Sequence, residues 1–173
     1  MNKHRDGASY FVTLNCLRRQ PLLSRPGLKQ LLLRAMQETK KQFGLHLGGY
    51  VILDDHAHLL FVVAADREYL GPMNYLRARF LRAWRELETN VNDAAFWDHG
   101  VKARLLAESD DVRAHLDFIH YDPVRHGLSY RAYDYVWSSL RARVDQGHYA
   151  EDWALLGPPA SIDRVSRAAE LVH

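Results

Sequence analysis

Hydrophobic positions recur every second residue in some stretches of the chain and every third or fourth in others. The run from Ser9 to Cys16, Ser-Tyr-Phe-Val-Thr-Leu-Asn-Cys, is rich in β-branched and aromatic residues and predicts a first strand. A loop over 21–26 follows, and either Ser24 or Pro26 opens a helix. In that helix Leu28, Leu31, Leu32, Ala35, Met36, Thr39 and Phe43 fall on one face, and Gly44 stops it. A second strand is predicted over 46–53 and a third over 57–63, joined tightly through Asp54 and Asp55. Residues 70–88 read as a second helix and 96–105 as a fourth strand. Ser109 then caps a third helix, with Asp110 and Asp111 in its first turn complementing the dipole. That helix is expected to end near Pro123, because the residue before a proline is pushed out of the helical region.

The resulting order is β-α-β-β-α-β followed by an extra helix. Two strand–helix–strand crossovers flanking a central hairpin define the ferredoxin-like split βαβ arrangement. The expected class is therefore α+β: an antiparallel sheet with helices on one face, plus extra C-terminal helices. Residues 1–147 form one domain in this reading. Beyond Gly147 the periodicity fades, and 148–173 is a tail with no regular pattern.

Composition adds boundaries. At 173 residues, 47% apolar and 25% charged, the chain has the size and balance of one globular domain. No apolar run approaches the roughly 20 residues needed to span a bilayer. The N-terminal segment lacks the apolar stretch of a secretory signal. Cys16 is the only cysteine, which excludes a disulfide framework and a thiolate metal site. A reducing, cytoplasmic setting is expected, with no membrane partner.

The net charge of +2 says little by itself, but its distribution says more. Arg77, Arg79, Arg82 and Arg85 crowd one segment with Tyr75, Phe80 and Trp84 among them. Four more arginines, Arg125, Arg131, Arg141 and Arg143, lie in one segment with Tyr130, Tyr133, Tyr135 and Trp137. Arginines for phosphates with aromatics for bases is a nucleic-acid-binding composition. A helix with a solvated basic face has the same composition.

The candidate chemistry lies at the entry to the third strand, Asp54-Asp55-His56-Ala57-His58-Leu59-Leu60. Strand alternation points His56 and His58 the same way, within about 7 Å of each other. Two imidazoles at that spacing can hold one metal ion, and with a carboxylate or amide beside them they accept Mg²⁺ or Mn²⁺. Asp54 and Asp55 are either turn residues or acceptors that orient His56.

The strand resembles the histidine–hydrophobe–histidine strand of the HUH single-strand DNA transposases and relaxases. Phe96-Trp97-Asp98-His99, the stretch from Ile119 to Leu128, Trp137-Ser138-Ser139 and His148 to Trp153 resemble, within that group, the REP-associated tyrosine transposases. The resemblance runs from about Tyr10 to Trp153. It implies that His56 and His58 bind a divalent ion, Mg²⁺ or Mn²⁺. It also implies that a helical tyrosine attacks the phosphodiester to give a 5′-phosphotyrosine, and that a polar residue four positions later completes the metal site. In this chain the third-ligand position is Asp122, and the nucleophile position is Phe118, which has no hydroxyl.

Three readings of Phe118 stay open. It is a tyrosine replacement introduced to trap a DNA complex, a natural shift of the nucleophile to Tyr121, or the mark of a protein that binds DNA without cutting it. The implied partner is a REP-type hairpin with an adjoining single-stranded tetranucleotide, bound by a monomer. Arg125 and His126, just past the helix, suit backbone phosphates. Trp97 and His99 read as core and edge residues, while Tyr10 and Asn15 could face a base. An RNA-recognition module shares the element order but lacks a role for the two histidines. A hydrolase using bound hydroxide would need a base from Asp54, Asp55 or Asp122.

Overall fold

Alternation along the strands sorts the fold into two layers around one sheet. A computed structural model describes residues 7–64, 68–88 and 90–165. Its main elements are β1 (Gly7–Asn15), α1 (Pro26–Phe43), β2 (His46–Ile52), β3 (His56–Ala64), α2 (Leu70–Leu87), β4 (Lys102–Leu106), α3 (Ser109–Arg125) and a short α4 (Leu140–Asp145). The sheet order is β2-β3-β1-β4, with every neighbouring pair antiparallel. This is the ferredoxin-like arrangement that the periodicity predicts. None of the described helices is long and apolar enough to cross a membrane.

On one face Val12 and Leu14 of β1 and Ala57, Leu59, Phe61 and Val63 of β3 meet α1 and α2. Leu32, Met36, Met73, Leu76 and Phe80 complete that core, all nearly sealed from solvent. Helix α1 ends at Gly44, whose φ of 64° is the left-handed conformation that glycine adopts without strain. The other face carries Phe11, Val51, Leu53 and Leu60 under Ala114, Phe118 and Ile119 of α3. At Gly49 a β-carbon would stand 2.6 Å from Leu116, so its absence lets α3 approach β2 closely. The third helix thus covers the opposite face from the first two. A helical turn bearing Ile162 and Val165 joins this second core, so part of the expected tail is packed against the domain.

Three boundaries differ from expectation. Helix α3 runs through Pro123 to Arg125 rather than ending before it. Proline here costs only the bond its missing N–H would make in the last turn, and the end is closed by His126 N–H donating to the Asp122 carbonyl at 3.0 Å. Ser109 is the first helical residue rather than the cap; Glu108 takes the cap position with no side-chain bond. Strand β4 begins at Lys102 instead of Phe96, because Phe96 and Trp97 are drawn into the α2 core against Phe80.

Candidate metal centre

Register brings the site together before any helix is considered. Directly opposite one another across β3 and β1 stand His56 and Asn15, His58 and Thr13, Leu60 and Phe11. Across β1 and β4 the partners on this face are Thr13 with Lys102 and Phe11 with Arg104. Paired residues share a face. The α3 side of the sheet is therefore a grid of imidazoles, hydroxyl, phenyl and basic side chains.

Helix α3 lays Asp122 over the two histidines. His56 Nε2 lies 3.5 Å and His58 Nε2 3.4 Å from Asp122 Oδ2, and all three side chains are buried. One ligand atom from each falls within 4.8 Å of the others. The remaining ring nitrogens are tied down. His56 Nδ1 donates to Asp55 Oδ1 at 2.6 Å, and His58 Nδ1 is 2.9 Å from Thr13 Oγ1. Asp55 is held in turn by Arg19 Nε at 2.8 Å. Arg19 sits at φ 56°, an uncommon conformation for a long side chain, and also donates to Asn15 at 2.9 Å. Of the two turn aspartates, Asp55 is the one that orients a histidine. Asp54 pairs instead with the buried Lys29 at 2.6 Å, and Lys29 also donates to Tyr135.

The two oxygens of Asp122 differ. Oδ1 accepts from Arg125 Nε and pairs with Arg125 Nη2, each at 2.9 Å, and lies 3.5 Å from His126. Oδ2 is buried and has no hydrogen-bond donor among the described residues. His56 Nδ1 must donate to its carboxylate partner, and where His58 Nδ1 likewise donates to the Thr13 hydroxyl, three lone pairs face one point, an arrangement that suits a cation. Ligand atoms about 2.1 Å from a shared ion lie roughly 3.0–3.5 Å apart, the spacing of each imidazole nitrogen from Asp122 Oδ2. Two imidazoles and a carboxylate are a donor set for a divalent ion.

Protonation follows the same logic. Burial works against charge on His56, but the Asp122 and Asp55 carboxylates more than offset it and raise its pKa. For His58 burial prevails and the pKa falls to about 4. Burial would also raise Asp122, but the imidazoles and the Arg125 guanidinium hold it well below the usual carboxylate range. Asp55, opposed by burial but held by His56 and Arg19, is lowered to about 2.

Beside the cluster opens a cleft of about 450 Å³ lined by Phe11, Thr13, Asn15, Arg19, Lys102 and Arg104 on the sheet side, with Val165 at one edge. Helix α3 and its C-terminal end contribute His115, Phe118, Arg125 and His126. Phe118 stands with its ring 5.5 Å from that of His58, and the Arg125 guanidinium lies over it, 4.5 Å from the centroid. Tyr121 is directed elsewhere, packed against the second core and 6.5 Å from Trp153. His120 is likewise turned away, buried against Tyr149 and bonded to Ser139.

No family model matches the chain. Over 150 residues it is 27% identical to the REP-associated tyrosine transposase of Escherichia coli K12, spanning 86% of each protein. The chain resembles the REP-associated tyrosine transposases. A Haemophilus influenzae Rd protein provisionally given the same name is 29% identical over 132 residues, covering 69% of this chain and 72% of its own. The structure of a REP-associated tyrosine transposase bound to a REP hairpin superposes with a TM-score of 0.75 at 24% identity, covering 89% of this chain and 92% of the other. A transposase structure from Deinococcus radiodurans R1, provisionally named, gives 0.51 at 18% identity and covers 66% of this chain and 92% of its own. The fold of this chain is that of the REP-associated tyrosine transposases.

The expected ligands His56, His58 and Asp122 thus meet in one place, with Phe118, Arg125 and His126 around them. The α2 arginines do not join them. That helix lies across the sheet, and each arginine has an acceptor within the chain. Arg77 donates to the Asp98 and Gly100 carbonyls, and Arg79 pairs with Glu38, Arg82 with Glu86 and Arg85 with Asp93. Thr13, Arg19, Lys102 and Arg104 were not singled out from the sequence, since only strand register reveals that they flank the histidines.

Proposed function

We propose that the chain binds REP-type hairpin DNA with its adjoining single-stranded tetranucleotide, as a monomer in the cytoplasm. It holds a phosphodiester at His56, His58 and Asp122 without forming a covalent link to it. In this reading the DNA- and metal-binding half of tyrosine-transposase chemistry is kept and the covalent half is missing. A Mg²⁺ or Mn²⁺ ion held by the two Nε2 atoms and Asp122 Oδ2 would neutralise a non-bridging phosphate oxygen. Arg125 and His126 bracket the carboxylate from the solvent side and are placed to meet an adjacent phosphate. Lys102, Arg104 and Arg19 supply further positive charge along the cleft, which makes binding salt-dependent.

The observation that carries this reading is the position of Phe118. It occupies the cleft beside His58, where the resemblance puts the nucleophile, and it has no hydroxyl to attack phosphorus. No tyrosine is among the described residues that line the cleft. A shift of the nucleophile to Tyr121 is disfavoured by its packing near Trp153.

The test is incubation with 5′- and 3′-labelled REP-type hairpin oligonucleotides in Mg²⁺ or Mn²⁺, followed by denaturing gels. The chain as it stands is expected to bind without forming an adduct. Phe118→Tyr is expected to form one, and adding His56→Ala to that variant abolishes it. An adduct from the unaltered chain that disappears in Tyr121→Phe would sink the proposal.

A further inference from the structure

One wall of the cleft is more elaborate than a metal site needs. Phe11 stacks on His58 with ring centroids 5.1 Å apart and meets His115 at 4.8 Å and Phe118 at 6.1 Å. His115 is 3% exposed, yet lines the cleft. It lies one helical turn before Phe118, on the same face of α3. Its Nδ1 is 2.7 Å from the Asp111 carbonyl, which can only accept, so Nδ1 carries the proton. That leaves Nε2 as an acceptor. Burial lowers the His115 pKa and so favours this neutral form. Above the wall stand Lys102 and Arg104, both exposed and without an ion-pair partner among the described residues.

We propose that Phe11, His115 and Phe118 form a subsite for one unstacked nucleobase, the one next to the phosphate held at the triad. In it His115 Nε2 accepts from an exocyclic amino group while Lys102 and Arg104 take the flanking phosphate. The inference rests on the DNA-binding reading above and deepens it by naming a base-selecting residue. The subsite begins one ring beyond His58, on which Phe11 stacks with centroids 5.1 Å apart. Aromatic walls hold any base, since every base has a π-face. An acceptor at the edge discriminates, because thymine has no amino group to offer it.

The test is fluorescence anisotropy in Mg²⁺ with a REP-type hairpin bearing a four-nucleotide single-stranded extension, abasic at each extension position in turn. One position is expected to weaken binding by about tenfold when abasic, the scale of one lost base stack. At that position adenine is expected to bind about fivefold better than purine, which lacks the amino group. His115→Phe keeps a ring in the wall and is expected to retain the abasic penalty while losing the adenine preference. His115→Leu, checked by thermal melting, serves if the phenylalanine is not accommodated. Salt-dependent hairpin binding with no extension position coupled to His115 overturns the subsite and leaves the DNA-binding reading standing. Absence of any hairpin binding overturns that reading and the subsite together.

Discussion

The two faces of the sheet use the same strands for opposite purposes. Toward α1 and α2, β1 and β3 present Val12, Leu14, Ala57, Leu59, Phe61 and Val63, and the space between is apolar. Toward α3 the intervening residues are Thr13, Asn15, His56 and His58, and the helix answers with His115, Asp117, His120 and Asp122, all buried. Burying polar groups is costly unless they are paired. Nearly every one on this face has a partner; Asp117, for example, accepts from Tyr149 and Ser161. Among the described residues two buried atoms on this face lack a hydrogen-bond partner, His120 Nδ1 and Asp122 Oδ2, and only the second faces both metal-site imidazoles, at 3.5 and 3.4 Å. The α3 face packs an apolar core of its own around Phe11, Val51 and Leu60, and the polar site lies directly beside it, with Phe11 stacked on His58.

The sharpest way to test that division is to damage each face and compare. Phe61→Ala empties a fully buried position on the apolar face and is expected to cost about 3–5 kcal/mol of stability. The measurement is thermal or urea unfolding in EDTA. Metal affinity of the molecules that remain folded should be unchanged. A loss below 1 kcal/mol would mean that the α1–α2 face is not the main source of stability.

On the α3 face the ranking is expected to reverse. His58→Ala should abolish Mn²⁺ binding measured by calorimetry or paramagnetic resonance, with a smaller change in stability in EDTA than Phe61→Ala causes. Asp55→Ala removes the acceptor behind His56 together with the partner of Arg19 and should weaken Mn²⁺ by about 10–100-fold. In the unaltered protein, metal at 100 times its dissociation constant should add about 2.7 kcal/mol of stability. Equal Mn²⁺ affinity in His58→Ala and the parent would remove the triad as a metal centre.

Much of this division is visible in the one-dimensional pattern, and the rest is not for definite reasons. Alternation along β3 separates His56 and His58 from Ala57, Leu59 and Phe61 without any structure, and a helix over 109–122 brings Asp122 within reach. The roles of Asp54 and Asp55 cannot be separated locally, because their partners Lys29 and Arg19 lie 25 and 36 residues away. The α2 arginines mislead for the same reason: Glu38, which takes Arg79, is 41 positions distant. Lys102 and Arg104 sit in a short edge strand with weak pattern, and only its register against β1 places them over the site. Pro123 falsely signals a helix end because a proline in the last turn costs too little to stop it.

Acid exposes the polar face more gently. Burial lowers the pKa of His115 below its ordinary 6.5, so the unfolded chain binds this proton at a higher pH than the folded one does. Stability from this residue is therefore complete above pH 6.5 and declines as pH falls toward the folded value, by at most about 1.4 kcal/mol per pH unit for one proton. His115→Phe should have a shallower stability loss between pH 6.5 and 5 in urea titrations. An identical slope would mean that the imidazole is solvated rather than buried.

The smallest expected effect is also the one that assigns the DNA-facing side. Arg82 and Glu86 are an exposed pair one helical turn apart on α2, with N to O 3.3 Å. Such pairs contribute about 0.3–0.5 kcal/mol, so Arg82→Ala should barely move an unfolding midpoint. Arg104 has no such partner among the described residues and lines the cleft. Arg104→Ala should leave stability alone but reduce the slope of log affinity for hairpin DNA against log salt by about one. If Arg82→Ala lowers that slope and Arg104→Ala does not, DNA lies on the α1–α2 face, and the arginine-rich helix rather than the edge strand carries the phosphates.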